Sequence, residues 1–515
     1  MEVIYQIYPL SFLDTNGDGI GDINGVIKKL PYLKELGVSY IWLTPIFKSP
    51  MKDNGYDISD YYQINEMFGS KDDLINLINK AKKHNINIML DLVLNHTSNK
   101  HVWFKEAIKN KNSKYHDYYV WSNKLPKIQS FFGGSAWEYV ESLDKYYLHL
   151  FAKEQPDLNW HNPNVRQELY KMINYYINLG IKGFRLDVLD LVGKVVTDKG
   201  IDFHKHLDEY LLELYEECFK DKGILTVGEM NLPLEKAHQL SSDKILSMVF
   251  QFDHVALDEV KGKGKWELKE LDLNDLTDTF EKVQLKYEDS GIPALFWSNH
   301  DQPRALGRYL NLEYRYYAQT MLQTLLYLQK GNVFIYQGEE FGMSGLGKVE
   351  IDKYKDIEAI NYYNEAILTK DKDTVLRSLE VKARDHSRTP MQWDNSINAG
   401  FTKGKPWLMT NPNYTYVNAS TDIKSENSIY MYLKKLLQIK KNNQTLIKGK
   451  YKRIELGPNI YSYERILDDK YLIICNFTDA NININLPKGK IIISNYQHKT
   501  NKLRPYEALL MKRDD

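Results

Sequence analysis

The sequence predicts an α/β protein: a (β/α)8 TIM barrel with a subdomain inserted after strand 3 and a C-terminal antiparallel β-sandwich domain. Eight short apolar segments bounded by turn residues recur along the chain, and amphipathic helix patterns lie between most of them. Strand–helix alternation implies a parallel sheet, and eight repeats favour a closed barrel. One connection is too long for an ordinary loop, and the last part of the chain loses its helix patterns.

The barrel elements follow in chain order. The eight predicted strands share short runs of apolar and β-branched residues, at 3–8, 40–46, 86–93, 183–188, 225–229, 246–252, 294–301 and 333–340. The predicted helices share apolar residues three and four positions apart, at 26–36, 71–84, 166–179, 203–219, 275–287 and 314–329. These elements assign 1–95 and 164–441 to the barrel.

Two regions break the alternation. Residues 96–163 form a long, aromatic-rich segment with a Gly133-Gly134 pair, which we interpret as the inserted subdomain. Residues 442–515 contain strand patterns at 460–466, 471–477, 490–496 and 507–512, with turn residues between them. This pattern predicts an all-β C-terminal domain.

Composition excludes several functional classes. In 515 residues, 68 basic side chains balance 68 acidic ones, which argues against nucleic acid or an anionic membrane as the main partner. Two cysteines, Cys218 and Cys475, exclude a disulfide framework. The chain shows no signal-peptide pattern at its start and no apolar run long enough to cross a membrane. We therefore expect a cytoplasmic monomer without an organic cofactor or a membrane partner.

Polar side chains gather where the predicted strands end. In a barrel of this type, the carboxyl ends of the strands form one mouth, which carries the chemistry. Three acids from three strand ends converge there, and two carboxyls flanking a bond suit glycoside hydrolysis. A metal site is the competing use of such acids, and each acid alone could cap a helix. The side chains are those of Asn95, His96, Arg185, Asp187, Glu229, His300 and Asp301.

Several motifs carry a resemblance to a known family. The chain resembles the α-amylase superfamily, glycoside hydrolase family 13, and within it the oligo-1,6-glucosidase group. The motifs are Asp-Leu-Val-Leu-Asn-His at 91–96, Gly-Phe-Arg-Leu-Asp-Val at 183–188, Val-Gly-Glu-Met at 227–230, Ser-Asn-His-Asp-Gln-Pro-Arg at 298–304, Asn-Gly-Tyr-Asp at 54–57, Gln-Pro-Asp-Leu-Asn at 155–159 and Ser-Arg-Thr-Pro-Met-Gln-Trp at 387–393.

The resemblance implies the catalytic roles. Asp187 would be the nucleophile that forms a β-glucosyl-enzyme, and Glu229 the general acid and later the base. Asp301 would bind sugar hydroxyls and stabilise the transition state. Arg185, two positions before Asp187, faces the same side of the strand, and we expect it to lower the pKa of Asp187.

The resemblance also implies a sugar-binding pocket. His96 and His300 would donate to glucose hydroxyls, while Phe151 and Gln155 would line the pocket. Asp57 and Arg388 would grip the terminal glucose and close the pocket, making the enzyme exo-acting. Tyr56 or Tyr61 would add ring stacking. Val188, directly after the nucleophile, accompanies α-1,6 activity in this group, so the implied activity is that of a retaining α-1,6-glucosidase acting on short isomaltose-type oligosaccharides.

A second site is predicted after the first strand. The stretch Asp-Thr-Asn-Gly-Asp-Gly-Ile-Gly-Asp at 14–22 places oxygen ligands at alternate positions, as in an EF-hand calcium loop, but it lacks the bidentate glutamate. The family has a similar loop that binds structural Ca²⁺, with Mg²⁺ as an alternative. The implied ligands are Asp14, Asn16, Asp18, Ile20 through its carbonyl, and Asp22. A metal-free loop of Asx turns is the other interpretation.

Other functions stay open at this stage. The lysines at 261–265 could clamp a sugar phosphate, which would make the chain a trehalose-6-phosphate hydrolase, or they could form a solvated loop. Cleavage or isomerisation of sucrose, or cleavage of dextran, is a further possibility within the family. A non-catalytic relative would have lost the acids, and Asp187, Glu229 and Asp301 are all present.

Overall fold

The computed structural model describes residues 1–197, 200–497 and 502–514. A parallel eight-stranded sheet forms its centre, with the strands in the order sixth, fifth, fourth, third, second, first, eighth and seventh. In chain order the strands are Val3–Ile7, Tyr40–Leu43, Asn87–Val93, Gly183–Asp187, Leu225–Gly228, Met248–Val249, Ala294–Leu295 and Asn332–Tyr336. The predicted (β/α)8 barrel is confirmed.

The barrel closes by two different means. The first and eighth strands pair through backbone hydrogen bonds, with Ile4 opposite Phe334. The sixth and seventh strands stand at the two ends of the hydrogen-bonded order. Across that seam, the rings of Phe250 and Phe296 meet edge to face, with centroids 5.2 Å apart. Both rings belong to the buried cluster that fills the barrel interior, so side-chain packing holds this seam together.

Eight helices follow the eight strands. They are Ile23–Leu36, Lys71–Lys83, Pro163–Leu179, Leu207–Leu214, Leu234–Ser242, Leu273–Lys286, Arg315–Tyr327 and Ile429–Lys441. The first shows why such segments start and stop: the Asp22 side chain accepts from the Gly25 amide at its beginning, and Gly37, with a φ of 99°, ends it. Further helices lie at Val102–Ala107, Ala305–Tyr309, Ile357–Ala366, Lys372–Lys382, Asp385–Arg388, Ala419–Lys424 and Gln444–Lys448.

The sixth and seventh strands are shorter than predicted. The sequence patterns extend over 246–252 and 294–301, whereas the strands stop at Val249 and Leu295. Apolar alternation continues past both ends, so the pattern alone could not locate the stop. After Leu295 the chain leaves the hydrogen-bonded sheet, and this segment carries His300 and Asp301 into the mouth of the barrel.

The insert after the third strand has a small sheet of its own. Its three antiparallel strands pair in the order Trp121–Ser122, Lys145–Leu148 and Trp137–Val140. Two hairpins also line the top of the barrel, Phe47–Lys48 with Asp60–Ile64 and Val195–Thr197 with Gly200–Asp202.

The C-terminal part is antiparallel, as predicted. Its five-stranded sheet has the order Lys450–Arg453, Ile460–Ile466, Lys470–Asn476, Ala508–Arg513 and Gly489–Ser494, and Ile482–Asn483 pairs with Lys502–Leu503 beside it. Cys218 and Cys475 are buried free thiols. None of the helices in the described ranges combines the length and the apolar character needed to cross a membrane.

Candidate active site

The predicted acids meet in one cavity at the carboxyl ends of the strands. Asp187 ends the fourth strand, Glu229 follows the fifth, and Asp301 follows the seventh. The cavity has a volume of about 200 Å³. Its lining residues are Asp53, Tyr56, His96, Phe132, Phe151, Asp187, Val188, Glu229, Lys265, Asp301, Gln302, Glu358 and Arg384.

Arg185 connects the carboxylates of the cavity floor. Its Nη1 donates to Asp187 Oδ1 at 2.6 Å and to Asp91 Oδ1 at 2.7 Å. Its Nη2 lies 2.5 Å from Glu229 Oε2. The shared strand face predicted for Arg185 and Asp187 is therefore confirmed, and Asp91 enters because it pairs with Arg185 across neighbouring strands. Three carboxyl groups share one guanidinium.

The pKa of Asp187 differs from the prediction. Burial raises this pKa well above its usual value, and the nearby carboxylates of Glu229 and Asp91 raise it further. Arg185 acts in the predicted direction, but its lowering effect does not prevail. The expectation that Arg185 lowers the pKa of Asp187 overall is therefore wrong. Since one cation faces the buried carboxyls of Asp91 and Asp187 and the half-buried one of Glu229, the cluster retains a proton.

Asp301 has the opposite electrostatic surroundings. Its Oδ1 accepts from Arg388 Nη2 at 2.8 Å and from Arg384 Nη1 at 3.2 Å, and its Oδ2 lies 2.9 Å from His300 Nε2. Burial alone would raise the pKa of Asp301, but His300 and the two guanidinium groups outweigh burial and hold this pKa well below its usual range. Asp301 is therefore ionised.

Asp57 and Arg388, the pair predicted to close the pocket, each lie four residues after a residue of the same type that lines the cavity, Asp53 or Arg384. Asp57 is buried inside its own loop, where it accepts from the Ser49 hydroxyl and from the amides of Lys52 and Asp53, each at 3.0 Å. Burial raises the pKa of Asp57 to about 6. It is not among the described residues that line the cavity, so its assignment to the terminal glucose is wrong.

Asp53 and Arg384 occupy the positions expected of that pair. Both line the cavity, and Asp53 Oδ1 lies 3.4 Å from Arg384 Nη2. Arg388 lies behind them, bonded to Asp301 and 3.4 Å from Asp356. Asp53 directly precedes the motif at 54–57, and Arg384 lies three residues before the motif at 387–393, so neither belongs to the motifs on which the prediction rested.

The two histidines that were predicted to bind glucose differ in their access to the cavity. His96 lines the cavity, and burial lowers its pKa to about 4, so it is neutral. His300 is fully buried behind the ring of Tyr56, which stacks on it with centroids 5.3 Å apart. Its Nδ1 lies 2.7 Å from the side-chain amide of Gln6, and its Nε2 lies 2.6 Å from Tyr56 Oη. Tyr56, rather than His300, presents its surface to the cavity.

Phe151 and Gln155 were both predicted to line the pocket. Phe151 does, with its ring centroid 5.3 Å from that of His96. Gln155 is fully buried and lies outside the lining among the described residues, so this part of the prediction is wrong. Its Nε2 lies 3.1 Å from His96 Nε2 and donates to Asp53 Oδ2 at 3.2 Å. Gln155 therefore holds two cavity residues in place from behind.

Val188 lines the cavity in an unusual backbone conformation. Its φ of 37° and ψ of 47° place a β-branched residue in the left-handed region, which is uncommon outside functional sites. In this conformation its backbone amide donates to Glu229 Oε2 at 3.2 Å. The residue after the predicted nucleophile thus also orients the predicted acid.

Two charged side chains at the cavity mouth were not among the predicted site residues, although the lysine stretch was considered as a phosphate clamp. Lys265, from the lysine stretch, and Glu358 both line the cavity, with Lys265 Nζ 2.7 Å from Glu358 Oε2. Glu358 also lies 3.4 Å from Arg384 Nε. Glu358 belongs to a helix that follows the eighth strand, so no motif connected it to the acids.

The loop after the first strand closes on itself through Asx turns. Asp14 accepts from the amides of Asn16, Gly17 and Gly19 at 2.7–2.9 Å, and the Thr402 hydroxyl bonds to it as well. Asp22 caps the following helix. Across the described ranges, no three His, Cys, Asp or Glu side chains are grouped so that they could hold a metal. An all-oxygen set that includes an Asn and a backbone carbonyl still suits a hard cation.

Comparison with known proteins agrees with this architecture. Residues 6–449 match the alpha-amylase catalytic domain family. The chain is 44% identical to the oligo-1,6-glucosidase of Bacillus cereus, over 99% of this chain and 98% of the relative. It is 43% identical to the glucan 1,6-alpha-glucosidase of Streptococcus pneumoniae, over 95% and 93%. The crystal structure of the Bacillus licheniformis trehalose-6-phosphate hydrolase superimposes with a TM-score of 0.93 at 38% identity, covering 99% and 98%.

The family match spans most of the chain, and the barrel, the insert and the acids at the strand ends correspond to it. The chain is a glycosidase. It belongs to the α-amylase family, glycoside hydrolase family 13.

Proposed function

We propose that this enzyme is a retaining, exo-acting α-glucosidase that hydrolyses α-1,6-glucosidic bonds of short oligosaccharides from the non-reducing end. The observation that carries the proposal is the attachment of Asp187 and Glu229 to the two terminal nitrogens of Arg185, at 2.6 and 2.5 Å. Two carboxyls on one guanidinium lie side by side. Retaining glycosidases need such proximity, whereas inverting ones leave room for a water between the carboxyls.

The proposed reaction has two steps. Asp187 attacks the anomeric carbon while Glu229 gives its proton to the leaving oxygen, which forms a β-glucosyl-enzyme and releases the aglycone. Glu229 then removes a proton from water, which displaces Asp187 and releases α-glucose. Asp301, ionised beside Arg384 and Arg388, accepts from sugar hydroxyls and stabilises the positive charge that develops on the ring.

The exo mode and the linkage have separate support. Asp53 and Arg384 form a charged wall on the lining of a cavity large enough for little more than one sugar unit. The relatives of highest identity named above are a 1,6-glucosidase of oligosaccharides and one of glucans. Val188 lines the cavity next to Glu229, where the bond would be cleaved.

A second candidate is hydrolysis of trehalose 6-phosphate. Two observations favour it: Lys265 lies on the cavity lining, and a hydrolase of that sugar phosphate shares the fold at a TM-score of 0.93. Against it, Glu358 already pairs with Lys265, so the ammonium charge is not free for a phosphate. We therefore place this candidate second.

The test is glucose release from isomaltose, maltose, trehalose, sucrose and trehalose 6-phosphate. We expect turnover of isomaltose with α-glucose as the first product, seen by NMR before mutarotation. The Asp187→Asn variant should lose at least about 10³-fold of kcat, as removal of a catalytic-triad residue does in hydrolases. Turnover of trehalose 6-phosphate alone would establish the second candidate, and β-glucose as the first product would disprove the retaining mechanism.

We also propose that the loop at 14–22 binds a structural Ca²⁺ or Mg²⁺ ion. Asp14, Asn16, Asp18 and the Ile20 carbonyl would supply oxygen ligands, with Asp22 near them. The ion would add stability to the loop, whose hydrogen bonds already hold it closed. Melting with EDTA and then with added Ca²⁺ or Mg²⁺ tests this: Tm should rise with the ion in the wild type and not in Asp18→Ala. An unchanged Tm would favour the metal-free loop.

We further propose that the protein acts as a monomer in the cytoplasm. Two buried, unpaired thiols suit a reducing compartment. Sedimentation velocity on the purified protein and fractionation of the source cells test the two parts of this proposal.

A further inference from the structure

Four of the six phenylalanines that are exposed or half-buried in the described ranges lie together at the cavity mouth. All eighteen lie in the described ranges, and Phe131 alone among them is exposed, at 55%. Five others are half-buried, and three of these, Phe132, Phe151 and Phe203, contact one another or Phe131 at the cavity mouth. Contact between aromatic surface and water is energetically unfavourable. A group of exposed aromatic rings beside an active site is therefore typical of a binding surface.

These rings form a row that leads out of the cavity. Phe151, on the cavity lining, has its centroid 5.4 Å from that of Phe131. Phe131 in turn lies 6.4 Å from Phe203, with an interplanar angle of 31°. Phe203 packs in the same apolar cluster as Val188 and Leu191, which follow the nucleophile. We call Phe151, Phe131 and Phe203 the aromatic row.

A rigid turn holds Phe131 in its exposed position. The Phe131 amide donates to the Leu150 carbonyl at 2.8 Å, and the Ser130 hydroxyl donates to the Phe151 carbonyl at 2.8 Å. Gly133 and Gly134 both have positive φ, 91° and 71°, which residues with a side chain rarely adopt. The Gly133-Gly134 pair therefore permits the turn that presents Phe131 to solvent.

We propose that the aromatic row binds a glucosyl unit on the leaving-group side, beyond the unit attached to the cleaved bond. The inference rests on the proposed function. It makes isomalto-oligosaccharides of three or more units better substrates than isomaltose, because isomaltose has no unit that reaches Phe131 and Phe203.

The chemistry of a sugar face fits the row. A glucose ring presents axial C–H groups on its faces and hydroxyls at its edge, so it can cover an aromatic ring while its hydroxyls remain in water. Phe131 carries no polar group that would select a particular hydroxyl. Phe203, at the outer end of the row, packs in the apolar cluster that contains Val188, whose amide donates to Glu229, so the row extends toward the leaving-group side.

Kinetics with substrates of increasing length test the proposal. The variants Phe131→Ala and Phe203→Ala should lower kcat/KM for isomaltotriose and isomaltotetraose about fivefold through KM, the loss of roughly one stacking contact. The same variants should leave kcat/KM for isomaltose within about twofold. Phe131→Tyr, which keeps the ring, should behave as the wild type.

Tyr139→Ala provides the matched control. Tyr139 is an aromatic residue of the same insert, 47% exposed, and its ring contacts Tyr146 outside the row. The Tyr139→Ala change should leave kcat/KM unchanged for every substrate. Equal losses on isomaltose and isomaltotriose in Phe131→Ala, or no loss on either, would overturn the inference while leaving the proposed function intact. Failure of the wild type to release glucose from any isomalto-oligosaccharide would overturn the proposed function itself.

Discussion

At the scale of single residues, Arg185 sets the charge balance of the catalytic centre. Its guanidinium is buried and contacts the carboxylates of Asp91, Asp187 and Glu229. One positive charge cannot neutralise three negative ones, so burial favours retention of a proton in the cluster. Arg185 positions the acids and limits the repulsion between them, but it does not bring the pKa of Asp187 below its usual value.

The pH dependence of activity should reflect this balance. Asp187 must be ionised to attack, and its pKa is raised, so the acid limb of kcat/KM should lie above the range of an ordinary aspartate. In Asp91→Asn, one negative charge near Asp187 is removed, so the pKa of Asp187 falls and the acid limb moves to lower pH. The pH profile of kcat/KM on isomaltose measures this shift. An acid limb that stays in place or moves to higher pH would contradict the cluster description.

Val188 is the second residue with a testable role. The Val188→Ala change removes two methyl groups beside the cleaved bond and keeps the amide that donates to Glu229. We expect the ratio of maltose to isomaltose hydrolysis to rise about tenfold, since hydrophobic groups in a pocket discriminate between substrates by about that factor. Val196→Ala, in the same apolar cluster but outside the described cavity lining, is the control. An unchanged ratio would show that Val188 does not determine the linkage specificity.

At the scale of elements, two buried glutamates lie in the short 3-10 helix Glu339–Phe341 that follows the eighth strand. Glu340 Oε1 accepts from the hydroxyls of Tyr5 and Tyr32, each at 2.8 Å, and Glu339 bonds to the Tyr327 hydroxyl. The second oxygen of each carboxyl has no hydrogen-bond partner among the described residues. Burial raises the pKa of Glu339 to about 8 and that of Glu340 to about 7. Both carboxyls therefore retain their protons to a much higher pH than an ordinary glutamate does.

Stability should depend on pH through these two groups. Each folded-state pKa lies above the ordinary glutamate value of 4.5, so the folded state binds the proton more tightly than the unfolded one. The stabilising effect is complete below pH 4.5 and is lost as the pH rises through about 7 and 8. Glu339→Gln imitates the neutral acid, so its Tm should fall less than that of the wild type between pH 5 and 8. Calorimetry at several pH values measures this, and parallel curves for the two proteins would contradict it.

At the scale of the whole molecule, one apolar core joins the barrel to the C-terminal sheet. The principal buried cluster contains barrel residues together with Tyr461, Tyr463 and Ile473 of that sheet. Hydrogen bonds cross the same boundary: Tyr463 Oη donates to the Leu325 carbonyl at 3.0 Å, and Gln329 Nε2 donates to Tyr461 Oη at 3.1 Å. Neither part buries its apolar face without the other.

A shared core predicts a single unfolding transition. Ile473→Ala, in the C-terminal sheet, should cost about 2–5 kcal/mol of unfolding free energy. It should also lower the temperature at which glucosidase activity is lost, because the barrel loses the same support. Calorimetry and residual activity after heating measure the two midpoints. Two separate transitions, with activity surviving the first, would contradict a common core.

The barrel, and the meeting of three acids from its strand ends at one mouth, could be predicted from the amino-acid sequence. Eight strand patterns separated by helix patterns permit few topologies, and acids at strand ends must meet at the barrel mouth. The insert and the antiparallel C-terminal sheet followed from local patterns in the same way. The predicted ends of the sixth and seventh strands were too late, because apolar alternation continues beyond the last paired residue of each strand.

Which polar residues line the cavity could be seen only once the chain was folded. It selected Asp53 and Arg384 over Asp57 and Arg388, brought Asp91, Lys265 and Glu358 to the site, and placed Gln155 and His300 behind it. It also reversed the expected direction of the Asp187 pKa. The physical reason is that side-chain direction, burial and charge depend on contacts between segments far apart in the chain, whereas strand and helix patterns depend on neighbours a few residues away.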